Sequence, residues 1–320
     1  MKFYFTNLDN VFMLKDERCI YKGEDGIKIL NSSNQEFDLL KKIMLGRDIS
    51  ENDYKKNNSF IKKLIKKEYL TEIDNCIKEE DKIFKTYQYL LMTHKIRNYC
   101  QLQDLQNKKV LIIGLGGVAL EIINQLVALD LKNYVIVDYD IVNKNNLNRQ
   151  FIFNNNDIGK FKVDIVEELI RSKVDNALVA KYNKKIQSTI DVTNILSENP
   201  NIDIVLCCAD TPPLKIEQYI ISAILDKKVA YLSAGVGINK GIVGPLLTNK
   251  KNKIDFLNNL NKSEDVLDCV TNCPASFGIT NSLISIIMAN ECINYLLGLE
   301  TPTLNHSLMM DFNNYKVDIK

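Results

Sequence analysis

The chain has 320 residues, 46% of them hydrophobic and 25% charged, with a formal net charge of +1. This length favours two domains or one large one. The balanced charge excludes bulk electrostatic attraction to nucleic acid. No run is long and apolar enough to span a bilayer, and the opening MKFYFTNLDN has no signal-peptide apolar stretch. A cytoplasmic protein with neither a membrane nor a nucleic-acid partner is expected.

The eight cysteines are scattered and form no CxxC pair. Cys269 and Cys273 are spaced CxxxC, but no second pair completes a tetrahedral zinc site, so structural zinc is not expected. His94 and His306 lie far apart in sequence and suggest no ligand pair.

The first stretch carries short candidate strands, KFYF, VFML, CIYK and IKIL, separated by polar turns. NQEFDLLKKIMLG follows, with Phe37, Leu39, Leu40, Ile43 and Met44 on one helical face and Gly46 suited to the C-cap. Ser50 and Ser59 are candidate N-caps for two further helices, and EYLTEI closes as a strand. Small strands, three helical segments and a final strand describe a winged-helix-like α+β module over residues 1–80. The lysines from Lys62 to Lys67 read as a solvated helix face rather than a DNA contact. The other use of such a module is to hold a peptide on an exposed strand edge. A broken helical linker, 81–106, leads to a larger domain, 107–320.

That domain opens with KKVLIIGLGGVALEIINQLVALDLKNYVIVDYD. A buried strand from Val110 runs into Gly114, Gly116 and Gly117, a helix follows over about Val118–Leu129, and a second strand ends at Asp138. This is a βαβ unit of the dinucleotide-binding type, whose glycines let backbone N–H groups approach a phosphate. IDIVLCCAD and VAYLSAGV read as further buried strands. The alternation implies a Rossmann-like, mostly parallel sheet covered on both faces, with ligands at the strand ends.

Asp138 can accept a hydrogen bond from a ribose. The glycines and Asp138 alone suit hydride transfer and adenylation equally. The next stretch, DYDIVNKNNLNRQFIFNNNDIGKFKVD, separates them. Arg149 is a fork suited to a phosphate oxyanion, and Lys160 and Lys162 stand just before a predicted helix. An enzyme that cleaves ATP between its α and β phosphates needs such cations, because charge builds on the leaving pyrophosphate.

GLGGVA, DYDIVNKNNLNRQ, IGKFK and CCADTP together resemble the adenylate-forming superfamily of ubiquitin-activating-type enzymes. Its bacterial members include the ThiF- and MoeB-type adenylyltransferases of sulfur carriers and the MccB-like, microcin C-type peptide adenylyltransferases. The resemblance covers about Asn107 to Gly298. It implies ATP and magnesium as cofactors. Gly114, Gly116 and Gly117 would meet the nucleotide, and Asp138 the ribose. Asn146, Arg149 and Gln150 would contact the triphosphate, Lys162 would neutralise its charge, and Asp210, beside Thr211, would hold magnesium. Arg149, Lys162 and Asp210 are the expected catalytic set. Asp210 could also cap a helix ahead of TPPLKIEQYI.

SAGVGINKGIVGPLL, CPASFGITNSLISIIMANECINYLLG and the small N-terminal module are most similar to the microcin-type members. That branch implies a precursor peptide held by the N-terminal module and activated at its C-terminal carboxylate, and the family implies a homodimer. The alternatives are the same chemistry on a ubiquitin-like sulfur carrier, or a leader-peptide scaffold with a vestigial nucleotide site. Two features depart from the family. Its usual RYSRQ segment, whose arginine reaches a partner's nucleotide, is replaced around TYQYLLMTHKIR, where Lys95 and Arg97 carry the charge. Its paired CxxC motifs are absent, and Cys269 and Cys273 are expected to be inert thiols rather than a thioester site.

Overall fold

A computed structural model describes residues 1–6, 11–14, 18–23, 26–73, 77–261 and 275–320. Cys76, Cys269 and Cys273 therefore lie outside the described residues. The chain forms two compact units, Met1–Gln103 and Asp104–Lys320.

In the first unit, β1 (Lys2–Phe5) pairs antiparallel with β5 (Leu70–Ile73). A separate meander joins β2 (Val11–Met13), β3 (Cys19–Gly23) and β4 (Gly26–Leu30) in the order β2-β3-β4. Between them come α1 (Asn34–Met44) and α2 (Glu51–Lys66). Ser33 starts α1 with a reciprocal capping box to Glu36. Gly46 sits at φ +65° just past the end of α1 and donates its N–H to the Ile43 carbonyl, as the sequence suggests. Ser50 caps α2 by accepting the Asp53 N–H. The second cap expected at Ser59 does not exist. The chain breaks instead at Asn57, whose φ and ψ are −111° and 15°, and Ser59 lies inside the helix beyond that kink. The Asn57 side chain donates to the Asp53 carbonyl, a local bond that competes with the helix ladder. Phe3, Phe5, Phe37, Leu40, Ile43, Ile61, Leu64 and Leu70 are buried together and form this unit's core. Two helices, α3 (Phe84–Met92) and α4 (Tyr99–Gln106), follow as the broken helical stretch predicted there.

The second unit is built on β6 (Lys109–Ile113), α5 (Gly117–Ala128), β7 (Asn133–Val137), α6 (Lys162–Lys173), β8 (Leu178–Tyr182), α7 (Thr189–Glu198), β9 (Ile204–Cys207), α8 (Lys215–Ile224) and β10 (Ala230–Val236). It continues through β11 (Lys240–Val243), α9 (Lys250–Asn261), α10 (Gly278–Leu296), β12 (Leu308–Asp311) and β13 (Val317–Ile319). The eight strands run in the order β13-β12-β11-β10-β9-β6-β7-β8. Pairings from β10 through β9, β6 and β7 to β8 are parallel, and β11 to β13 extend the sheet antiparallel. The sheet is thus mostly parallel and Rossmann-like. Leu111, Ile113, Val135 and Val137 share a core with Val192 and Ile195 of α7 and Ile220 and Ile224 of α8. Their alternates Val110, Ile112, Tyr134 and Ile136 are equally buried and point to the other face, where α5 packs on α10. The chain winds outward from β6 to β8 and then returns to β9 on the far side of β6. The carboxyl ends of β6 and β9 therefore flank a topological switch point, the position where such sheets bind ligands.

Candidate active site

A cavity of about 440 Å³ opens at that switch point. Gly114 stands at φ +90°, where a Cβ would lie 2.7 Å from the Ala209 backbone nitrogen. Only glycine lets the turn after β6 pass so close to the chain leaving β9. Gly116 is the N-cap of α5 with no side-chain cap, and among the described residues nothing lies within 4 Å of the position of its missing Cβ. The uncapped N–H groups of a twelve-residue helix therefore face open space in the cleft. Gly117 is packed differently: a Cβ there would meet Asn281 Oδ1 at 2.7 Å and the Arg149 carbonyl at 3.1 Å.

Asp138 ends β7 and is buried. Its Oδ2 accepts the Leu115 N–H at 2.5 Å and its Oδ1 the Asp140 N–H at 2.7 Å. Burial pushes its carboxyl above the usual carboxylate range, while Lys162 and these two backbone donors pull the other way. Asp138 therefore also ties together the turns that follow β6 and β7.

The amide-rich loop is a folded structure. Asn146 Oδ1 accepts the Asn143 N–H at 3.0 Å, closing a short 3-10 turn over Lys144–Asn146. Asn154 and Asp157 cap a second such turn in the same way. The asparagines thus satisfy loop backbone that has no sheet partner. Val142 donates to the Lys160 carbonyl at 2.8 Å and Lys162 to the Asp140 carbonyl at 3.0 Å, so the loop returns to its origin. Lys162, the first residue of α6, is buried and donates through Nζ to Asp140 Oδ2 at 2.9 Å. Arg149 Nη1 donates to the Asn145 carbonyl at 2.8 Å and to Asn148 Oδ1 at 2.9 Å. Gln150 is buried, and its Oε1 has no hydrogen-bond partner among the described residues.

All but one of the residues singled out from the sequence for the nucleotide line this cavity: Gly114, Gly116, Gly117, Asp138, Asn146, Arg149, Gln150, Lys162, Asp210 and Thr211. Lys160 is not among the lining residues and pairs with Asp157 at 3.2 Å. Asp210 is not a helix cap. The next helix, α8, begins only at Lys215 after an N-cap at Leu214, because Pro212 and Pro213 hold the intervening chain out of the helix. The Asp210 carboxylate accepts the Thr211 hydroxyl at 3.1 Å and lines the cleft.

Sequence reasoning missed Tyr139, Asp140, Lys184, Ser276 and Asn281, which also line the cavity. Lys184 is paired with Asp191 at 2.5 Å, and Lys185 lies over the Tyr139 ring at 5.2 Å from its centroid. Asn281 is buried on the first turn of α10 and donates to the Phe277 carbonyl at 2.8 Å and Ser276 Oγ at 3.0 Å. No signal in its sequence distinguishes it, because the same helix also buries Ser285, Glu291 and Asn294.

The site fits a nucleoside triphosphate. It has an uncapped helix N-terminus, an arginine fork and a buried lysine for phosphate oxygens, and the unpaired Gln150 Oε1 can accept from a hydroxyl, all in one polar cavity. Among the described residues no group of three or more His, Cys, Asp or Glu side chains could hold a metal ion. Magnesium bound with a nucleotide needs only one or two carboxylates, the phosphates supplying much of its shell; of the cavity's three, Asp138 already accepts two backbone N–H groups, which leaves Asp210 and Asp140 at hand.

A model of the ThiF family matches residues 87–320. Among curated proteins, the molybdopterin-synthase adenylyltransferase described as probable in Gracilaria tenuistipitata var. liui is 31% identical over 222 residues, which is 68% of this chain and 58% of that protein. The NEDD8-activating enzyme E1 catalytic subunit of Caenorhabditis elegans is 34% identical over 85 residues, 27% of this chain and 20% of that one. The matched stretch therefore spans about a fifth to three fifths of these relatives' own lengths. Among solved structures, E. coli MccB with AMPCPP and SeMet MccA superposes with a TM-score of 0.70 at 18% identity, covering 100% of this chain and 96% of that one.

Proposed function

This chain belongs to the ThiF family, and from that premise we propose that it is an ATP-dependent adenylyltransferase acting on the C-terminal carboxylate of a ribosomally made precursor peptide. One observation carries the reading: the glycine turn, Asp138, Asn146, Arg149, Gln150, Lys162 and Asp210 line one cavity at the switch point of the sheet. In the reaction a carboxylate oxygen of the peptide attacks the α phosphorus of ATP, and the bond to the β-phosphate oxygen breaks. The products are an acyl-adenylate and pyrophosphate, and no protein nucleophile is needed.

The chain's residues position and neutralise. The α5 N-terminus donates N–H groups to phosphate oxygens. Arg149 and Lys162 meet the charge that builds on the leaving pyrophosphate, and Asp138 receives the ribose hydroxyls. Asp140 holds Lys162 in place before the nucleotide arrives. Asp210 would hold magnesium, which supplies charge neutralisation across the phosphates when bound.

The peptide branch of the family is favoured over a sulfur carrier because the likeness to E. coli MccB, solved with AMPCPP and MccA, extends over the N-terminal residues as well. On this reading residues 1–80 form a winged-helix-like peptide clamp, 81–106 a linker and 107–320 the adenylation domain. The clamp raises the effective concentration of the peptide at the site. The enzyme works in the cytoplasm as a homodimer in a peptide natural-product pathway.

The test is ATP–pyrophosphate exchange in the presence of candidate peptides. Exchange is expected only with a free C-terminal carboxylate, and Arg149→Ala is expected to lower it by about 100-fold. Exchange that is independent of peptide, or unchanged by Arg149→Ala, overturns the reading.

A further inference from the structure

A second cavity, of about 400 Å³, lies against the nucleotide cleft, and Ala209, Asp210, Ala234 and Gly235 line both. The rest of its wall is largely carbon: Pro213 and Leu214 from the loop after β9, Ile216 of α8, Ile242 of β11, and Phe256 and Leu260 of α9. Its polar side chains are Asp210, Glu217, Ser233 and Ser307, and two of them are already engaged. The Ser233 hydroxyl donates to the Gly244 carbonyl at 3.3 Å, and Glu217 Oε1 accepts the Tyr231 hydroxyl at 2.7 Å.

We propose that this cavity receives the side chain of the substrate's last residue and selects an apolar one of leucine to phenylalanine size. The proposal rests on the adenylyltransferase reading above. A carboxylate that attacks the α phosphorus must sit at the wall between the two cavities, since the nucleotide fills the first. The substituent on the adjacent carbon then has the second cavity beside it. An apolar cavity of about 150 Å³ is enough to hold a benzene ring, so this one is roomy for a phenylalanine side chain. Glycine would leave it empty. Asparagine would bury an amide against a carbon wall with its hydrogen bonds unmade. Asp210 and Glu217 on the wall disfavour an acidic side chain, and with Glu217 bound to the Tyr231 hydroxyl and Asp210 assigned to magnesium a lysine would bury its ammonium without a free partner.

The experiment uses the full chain and five probe acids: N-acetyl derivatives of phenylalanine, leucine, glycine, asparagine and lysine. Two readouts are taken, saturation-transfer NMR of each acid without nucleotide and ATP–pyrophosphate exchange with each acid. Phenylalanine and leucine are expected to bind more tightly and to exchange with kcat/KM at least about 10-fold above the other three. Leu260→Phe, which narrows the cavity, is expected to reduce the phenylalanine-over-glycine ratio. If that variant melts far below the parent, Phe256→Ala is measured instead and is expected to weaken binding of both apolar acids. Preferential binding of the apolar acids without exchange keeps the cavity assignment and overturns the adenylation reading. Exchange in which glycine, asparagine or lysine equals or exceeds the apolar acids keeps adenylation and overturns the cavity assignment. Neither binding nor exchange with any acid overturns both.

Discussion

Asp138 illustrates how much one carboxylate carries. On the proposed reading it meets a ribose, yet its two oxygens already accept the N–H groups of Leu115 and Asp140. Asp138→Asn leaves one of these buried donors facing an amide NH2. The expected cost is about 1–3 kcal/mol of stability, together with weaker ATP binding. Urea denaturation and ATP titration of the same sample check both effects, and a loss of affinity with no loss of stability would contradict the tying role. Asp191 acts at one remove. Lys184, a cleft residue, holds its carboxyl down to about 2, with the Gln187 N–H adding to the effect. The folded value lies below the ordinary 3.8, so the stabilisation is fully present above pH 3.8 and is lost as pH falls through about 2. Asp191→Asn is expected to flatten the fall of stability over that window and to release Lys184 toward the cleft. Chemical denaturation of both proteins across the window reads the slope directly.

Elements bring these residues together, and the α8–α9 pair shows what that costs. Lys253 of α9 is fully buried, and its Nζ donates to the carbonyls of Ile224, Lys227 and Val229 at 3.0, 3.0 and 2.7 Å. It thus closes the C-terminal end of α8, where orphan carbonyls and the helix dipole both favour a cation. Lys253→Met keeps the volume but strands these acceptors, so a loss of more than about 2 kcal/mol of stability is expected, read as a lower urea midpoint. An unchanged midpoint would mean that water replaces the ammonium. No local signal in LTNKKNKIDF distinguishes this lysine from its solvated neighbours. By contrast, β6, α5, β7, β9 and β10 were readable, because a strand buried on both faces must be a continuous apolar run. The edge strand β8 and the hairpin strands β12 and β13 were not, since half-solvated strands lack such a run. The cleft divides in the same way. Arg149 and Lys162 were legible from spacing along one loop, while Lys184 reaches the cavity from the loop after β8 and Asn281 from α10, neither of which carries a recognisable spacing.

At the scale of the whole molecule, the proposed division of labour predicts that peptide and nucleotide binding can be damaged separately. In the first unit β4 is an edge strand of the three-stranded meander, and Ile27 and Ile29 are exposed on it at 69% and 49%. Phe12, Ile20 and Ile29 are cross-strand neighbours, and Phe12 too is largely exposed. The opposite face, with Val11, Cys19, Tyr21 and Leu30, is buried in the unit's core. An apolar face beside an open strand edge is a surface that an extended peptide can use, with main-chain bonds giving affinity and side-chain contacts giving specificity. Ile27→Asp and Ile29→Asp place charges on that surface without touching the core. Both are expected to raise the KM for the precursor peptide by about 10-fold or more while leaving the ATP dissociation constant unchanged. The probe acids of the second cavity supply the internal comparison, because they carry no leader for the first unit to hold. Their exchange rates should not respond to either substitution. A peptide KM that stays within about twofold of the parent would remove the first unit from substrate capture, since even one buried apolar contact is worth more than that.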